Sequence, residues 1–175
     1  EDISLDDFSK IAVDRHVLPE IELVPKSKRR YLSPYAMSHV LGYVAKVSDD
    51  DIESDVVKVH EGMTEIGKLG IERFYQNILS GKPGYEKLET DAKGKVIRVI
   101  EKKQPVRGDD IYLTLDLNLQ QYIYNKVDKK EGAIIVMDPN NGDILSFVSF
   151  PGYDNNLFTK SISTKKYNEL ITDKR

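Results

Sequence analysis

The stretch whose residue types and spacing could do nucleophilic chemistry is Ser163-Thr164-Lys165-Lys166. A serine at a helix start with a lysine three residues on sets an amine one turn from a hydroxyl. The amine can then take the hydroxyl proton while backbone donors stabilise an oxyanion, which is acyl-transfer chemistry. A Ser-x-Asn and a Lys-Thr-Gly element complete sites of that kind, and neither occurs in the 175 residues. Ser163 reads instead as the cap of a helix carrying Tyr167, Leu170 and Ile171. Ser163 and Lys166 are therefore set aside as a decoy, and no residue is assigned as catalytic.

Other chemistry-bearing residues are sparse. His16, His39 and His60 are far apart and no spacing puts two of them on one helix face, so neither a metal nor a cofactor is expected. Lys26-Ser27-Lys28-Arg29-Arg30 reads as a solvated charge run, or as a strip for an acidic partner or phospholipid surface, with Arg29 or Arg30 held by a carboxylate. Glu72 follows Gly67 and Gly70, which allow close backbone approach, and falls in the first turn of the strongest helix. Two readings stay open for it: an anchor to a neighbouring arginine, or an ordinary stabilising first-turn acid. Asp116 and Asp138 read as a helix cap and a hairpin turn.

The elements that must position these residues follow from periodicity. Ser4-Leu5-Asp6-Asp7 has the form of a capped helix start, with Leu5, Phe8, Ile11 and Ala12 on one face. A second helix is predicted over Tyr35–Leu41, with Met37, Val40 and Leu41 inward and Gly42 ending it, followed by a strand over Tyr43–Val47. Ile71, Phe74, Tyr75, Ile78 and Leu79 recur at the spacing of a buried stripe, so one helix is predicted over Ile71–Leu79, bracketed by Gly70 and Gly81, with Phe74 in the core. Tyr85–Thr90 and Lys95–Glu101 form a hairpin about Asp91-Ala92-Lys93-Gly94. Ile111–Leu115 is predicted as a strand, then Asp116 caps a helix with a Leu119, Ile123, Val127 spine. Ala133–Met137 and Ile144–Phe150 are apolar throughout, which predicts strands covered on both faces.

Composition narrows the class. With 26 basic and 29 acidic residues the net charge is only -3, which suggests neither a nucleic-acid footprint nor a disordered polyanion. No cysteine is present, so compartment is not fixed by thiols. No run approaches the roughly 18 apolar residues of a membrane span, and the acidic first residues are not a signal peptide.

Several blocks resemble, in order, the class B penicillin-binding proteins, most closely the elongation-type penicillin-binding protein 2. Arg29-Arg30-Tyr31 followed by His39-Val40-Leu41-Gly42-Tyr43-Val44 is similar to the family's pedestal motif, with Leu32 where a proline is usual. Ile66-Gly67-Lys68-Leu69-Gly70-Ile71-Glu72-Arg73-Phe74-Tyr75 resembles its glycine-glutamate motif, continued by Leu79-Ser80-Gly81-Lys82-Pro83-Gly84. Gly108–Asp116 with Leu119-Gln120 resembles the link into the transpeptidase domain, and Gly132–Asn156 its first strands.

The resemblance implies an α+β chain: a β-rich pedestal, or dimerisation, domain over residues 1–109, incomplete at its start, then the start of a transpeptidase domain over 110–175 without its catalytic core. It implies a parent at the periplasmic face of the bacterial inner membrane, with an anchor upstream and a nucleophilic serine downstream. That parent cross-links peptidoglycan stem peptides, is trapped by β-lactams, and works with an MreC-type scaffold and a RodA-type glycan polymerase. Arg29, Arg30, Tyr31, Gly42, Gly67, Gly70 and Glu72 are expected to build or display the pedestal motif. A division-type transpeptidase and a stand-alone, pedestal-derived binding protein remain as alternatives.

Overall fold

The computed structural model describes residues 3–14, 28–53, 62–127 and 131–159, with the isolated positions 162, 165, 169 and 172. The first helix, α1 (Leu5–Val13), starts where Ser4 Oγ accepts from the Asp7 amide at 3.1 Å. Helix α2 (Pro34–Leu41) opens on a proline, whose fixed φ suits the first turn, and ends at Gly42, whose φ is +72°. Strand β1 (Val44–Lys46) pairs antiparallel with β2 (Glu65–Gly67), and the short helix α3 (Asp49–Glu53) lies between them in sequence. Two short helices follow, α4 (Gly70–Phe74) and α5 (Gln76–Leu79). Strands β3 (Tyr85–Thr90) and β4 (Val96–Lys103) make a hairpin. Helix α6 (Leu117–Lys126) leads to a second hairpin, β5 (Gly132–Met137) and β6 (Ile144–Phe150), and a 3-10 turn at Asn155–Leu157.

The packing centre lies where α2 and α6 meet one face of β6. Ala36 and Met37 of α2 are buried there with Val148 and Phe150, and the Phe150 ring stacks on Tyr124. The centre is held by a polar staple. Gln120 is wholly buried; its amide donates to the Ala36 and Phe147 carbonyls at 2.8 and 2.7 Å, and its oxygen accepts from Ser146 Oγ and the Phe147 amide, both at 2.8 Å. Each of its polar atoms is satisfied, so this burial carries no desolvation penalty left uncompensated.

Four expectations are corrected. The Ile71–Leu79 helix is broken at Tyr75 into α4 and α5, and its apolar stripe stays out of the core: Phe74 is 79% exposed and Ile78 44%, while Ile71, Tyr75 and Leu79 are half-buried. Glu72 and Gln76, one turn apart, take the inward face instead. Glu72 meets Arg29 and Tyr31, and Gln76 Oε1 accepts the Gly67 amide at 2.8 Å. Leaving buried donors unpaired costs about 1–3 kcal/mol each, enough to outweigh the gain from burying one aromatic ring.

Ile111–Leu115 is not a strand; it runs beside β6 with the Thr114 hydroxyl and the Asp116 amide donating to the Ile144 and Leu145 carbonyls. The α6 spine is only partly buried, Gln120 being the residue the helix buries. The β5–β6 hairpin is covered on one face alone. Ser146, Val148 and Phe150 are buried beneath α2 and α6, whereas Ile135 and Phe147, cross-strand partners on the other face, are exposed.

Candidate functional site

Two short segments distant in sequence build one node. Tyr31, buried beneath α4, has its backbone amide and carbonyl held by the Asn156 side chain at 2.9 and 3.0 Å, which fixes the ring's entry. Its hydroxyl donates to Glu72 Oε1 at 3.3 Å and accepts from the Val44 amide at 3.1 Å, tying α4 to β1. Arg29 closes the node as a fork, Nε 3.0 Å from Glu72 Oε1 and Nη2 3.2 Å from Oε2. Burial, then the Glu72 charge, push the Tyr31 hydroxyl well above its ordinary pKa, so it stays a donor.

Three glycines permit this approach. A Cβ on Gly67 would fall 2.2 Å from the Glu72 backbone, so β2 runs directly against α4. Gly42 and Gly70 cross backbone to backbone, bringing the end of α2 onto the start of α4. Arg30, beside the node in sequence, is exposed and makes no ion pair among the described residues.

Beside the node a groove of 430 Å³ opens, lined by His39, Val40, Ile71, Phe74, Tyr75 and Phe147. Its floor is apolar and its rim includes His39, whose Nε2 lies 2.8 Å from the Pro151 carbonyl. Exposed Phe74 stands at its edge against Tyr75, ring centroids 4.8 Å apart. The arrangement suits reception of an apolar side chain from a partner. Among the described residues no group of three His, Cys, Asp or Glu side chains is placed to hold a metal ion.

Residues 1–113 match the penicillin-binding protein dimerisation domain. The chain belongs to the penicillin-binding proteins. It is 43% identical over 170 residues to the peptidoglycan D,D-transpeptidase MrdA of Haemophilus influenzae, covering 95% of this chain and 26% of that protein. Its identity to the MrdA of Escherichia coli K12 is also 43%, over 169 residues, 94% of this chain and 27% of the relative. The chain thus spans about a quarter of the length of these relatives. Among solved structures it is similar to penicillin-binding protein 2 in a complex with MreC from Helicobacter pylori, with a TM-score of 0.80 and 32% identity over 99% of this chain and 32% of that one. Penicillin-binding protein 2 of Pseudomonas aeruginosa, solved in complex with WCK 5153, gives 0.68 and 32% identity over 87% of this chain and 30% of that one.

Within this dimerisation fold, Arg29, Tyr31, Gly67 and Glu72 come together at the node, Gly42 and Gly70 at the adjoining crossing, and Arg30 stands apart. Lys26, Ser27, His16, His60, Ser163 and Lys166 lie outside the described residues. Sequence reasoning missed a second cluster, in which Tyr43 stacks on Phe158 at 3.9 Å and Tyr153 stands edge-on to His39 and Tyr43. Burial and the neighbouring Tyr43 push the Tyr153 hydroxyl up to about 12. It also missed Gln76, Gln120 and Asn156. The available signal was a polar side chain inside an otherwise apolar stripe, which Gln120 shows between Leu119 and Ile123.

Proposed function

We propose that this chain is the pedestal and the start of the transpeptidase domain of an elongation-type peptidoglycan D,D-transpeptidase, and that its own role is to dock a partner rather than to catalyse. The observation that carries the docking role is the apolar groove flanked by exposed Phe74. An exposed aromatic ring beside a preformed apolar cavity matches the anchor-in-pocket logic of protein interfaces. The partner is an MreC-type scaffold protein, a reading supported by the likeness to a penicillin-binding protein 2 solved with MreC. The Arg29–Tyr31–Glu72 node, with Gly42, Gly67 and Gly70, frames the groove; exposed Arg30 is left for the partner.

The whole protein, on this reading, acts at the periplasmic face of the inner membrane. There it cross-links stem peptides, reacts with β-lactams and pairs with a RodA-type polymerase, while the division between its two parts falls near Arg107–Asp109. No helix among the described residues is long and apolar enough to cross a membrane.

Two measurements test the proposal. Calorimetric titration with the periplasmic part of an MreC-type protein should show binding that Phe74→Ser weakens by about tenfold or more without loss of fold. Absence of binding by the folded chain defeats the docking role. Intact-mass measurement after exposure to a penicillin should show no adduct. A stoichiometric adduct removed by Ser163→Ala would restore Ser163 and Lys166 as a catalytic pair.

A further inference from the structure

Among the described residues the β3–β4 hairpin packs against no other helix or strand beyond marginal contact. A two-stranded hairpin is marginally stable in water unless one face is covered. Here Leu88, Val96, Ile97, Val99 and Ile100 are between 43% and 61% exposed. Leu88 stands opposite Val99 and Thr90 opposite Val96, so these share a face, while Ile97 and Ile100 fall at the two register shifts. The strip continues to the tip, where Val96 and Ile97 adjoin Lys95 and Lys93 and the turn is closed by Gly94 at φ +82°.

Charge separates this arm from the rest of the molecule. Between Lys82 and Lys103 there are seven basic and four acidic residues, a local charge of +3, so the remainder of the chain carries -6. The acids are already engaged. Glu89 pairs with Arg98 and Glu86 with Lys102, Glu101 accepts from the Tyr85 hydroxyl, and Asp91 accepts the Lys93 and Lys95 amides. Among the described residues Lys82, Lys87, Lys93 and Lys95 make no ion pair, and Lys103 lies over the Tyr85 ring.

We propose that the β3–β4 hairpin contacts an anionic phospholipid surface. Lysines at a tip, directly beside half-exposed Val and Ile, suit a bilayer interface: ammonium groups reach headgroup phosphates while the branched side chains enter the acyl boundary. The attraction is complementary to the arm alone. Within this chain the acidic remainder is repelled from the same surface, so the contact selects the hairpin end.

Flotation of the full 175-residue chain with vesicles tests this. Binding is expected to vesicles of equimolar phosphatidylcholine and phosphatidylglycerol, not to phosphatidylcholine alone, and should weaken as salt is raised. Lys93→Glu with Lys95→Glu should lower partitioning by about tenfold or more. Lys93→Gln with Lys95→Gln gives a smaller fall at exposed positions where folding is not at stake. Ile97→Ser with Ile100→Ser should also release the chain, and none of these changes should alter titration by an MreC-type protein. No flotation with anionic vesicles, or flotation indifferent to the lysine substitutions, overturns the proposal. So does loss of scaffold binding in the hairpin variants without vesicle binding, which would make the strip a protein interface.

Discussion

Gly42 and Gly70 meet backbone to backbone: a Cβ on Gly42 would lie 2.0 Å from the Leu69 carbonyl oxygen, and one on Gly70 would lie 2.4 Å from that of Val40. Both have positive φ, +72° and +59°, so an L side chain is strained before it clashes. The contact sets the angle at which α2 delivers His39 and Val40 to the groove that Ile71 and Phe74 complete. Gly70→Ala should therefore cost about 2–4 kcal/mol, the sum of left-handed strain and overpacking. An unchanged denaturant midpoint would show that the two segments separate freely.

The Tyr31–Glu72 node makes a second prediction. Tyr31→Phe removes the acceptor of the Val44 amide and a donor to Glu72, an expected loss of about 1–3 kcal/mol. Glu72→Ala also strands Arg29, but that guanidinium is 44% exposed and can turn to water, so the expected cost is about 2–3 kcal/mol rather than the larger penalty of a fully buried pair. In the double variant the two losses should fall short of additive, because one hydrogen bond is counted in both. Strict additivity in urea titrations would mean that the hydroxyl and the carboxylate do not interact in solution.

How much of this was legible in sequence depended on whether the determinant was local. The Ser4 and Asp116 caps, the end of α2 at Gly42 and the two hairpins rest on turn and cap chemistry within a few residues, and each stands within about two residues of its predicted place. A carboxylate partner is expected for Arg29 or Arg30, and an arginine anchor is one of two readings of Glu72, but nothing local joins Glu72 to Arg29 across 43 residues. Asn156 reaching Tyr31 over 125 residues had no local signature, and Gln120, a polar side chain within an apolar stripe, signalled a buried partner but not that it joins α2 to β6. The outward turn of Phe74 illustrates a deeper limit. Periodicity identifies an apolar stripe but not what covers it, and here inward hydrogen-bond demand decided the face.

That reversal yields a contrast between two residues of similar hydrophobicity. Ile66 of β2 is 1% exposed, and Ile66→Ala should cost about 2–5 kcal/mol through lost transfer energy and a cavity. Phe74 is 79% exposed, so Phe74→Ala should shift stability by no more than about 0.5 kcal/mol. Thermal or denaturant unfolding of the two variants side by side decides the matter. A large loss for Phe74→Ala would place the stripe in the core after all.

Acid should loosen the connection between β1 and β2 through Asp51. Its burial acts to raise the carboxyl pKa, but hydrogen bonds from Lys68 Nζ and from the Ser48 hydroxyl and amide, at 2.6 and 2.7 Å for the latter two, outweigh burial and bring it down to about 2. A depressed folded-state value means the unfolded chain binds the proton first as pH falls. The stabilisation is therefore complete above the ordinary carboxyl value of about 4 and is lost as pH drops through 2, with a total on the order of 2 kcal/mol. Asp51→Asn should remove most of that slope between those limits while leaving stability near neutrality lower, since the amide keeps the geometry but not the charge that holds Lys68. Unfolding curves of the parent and Asp51→Asn chains across this acid range provide the measurement, and an identical pH slope in both would show that the acid sensitivity resides in other carboxylates.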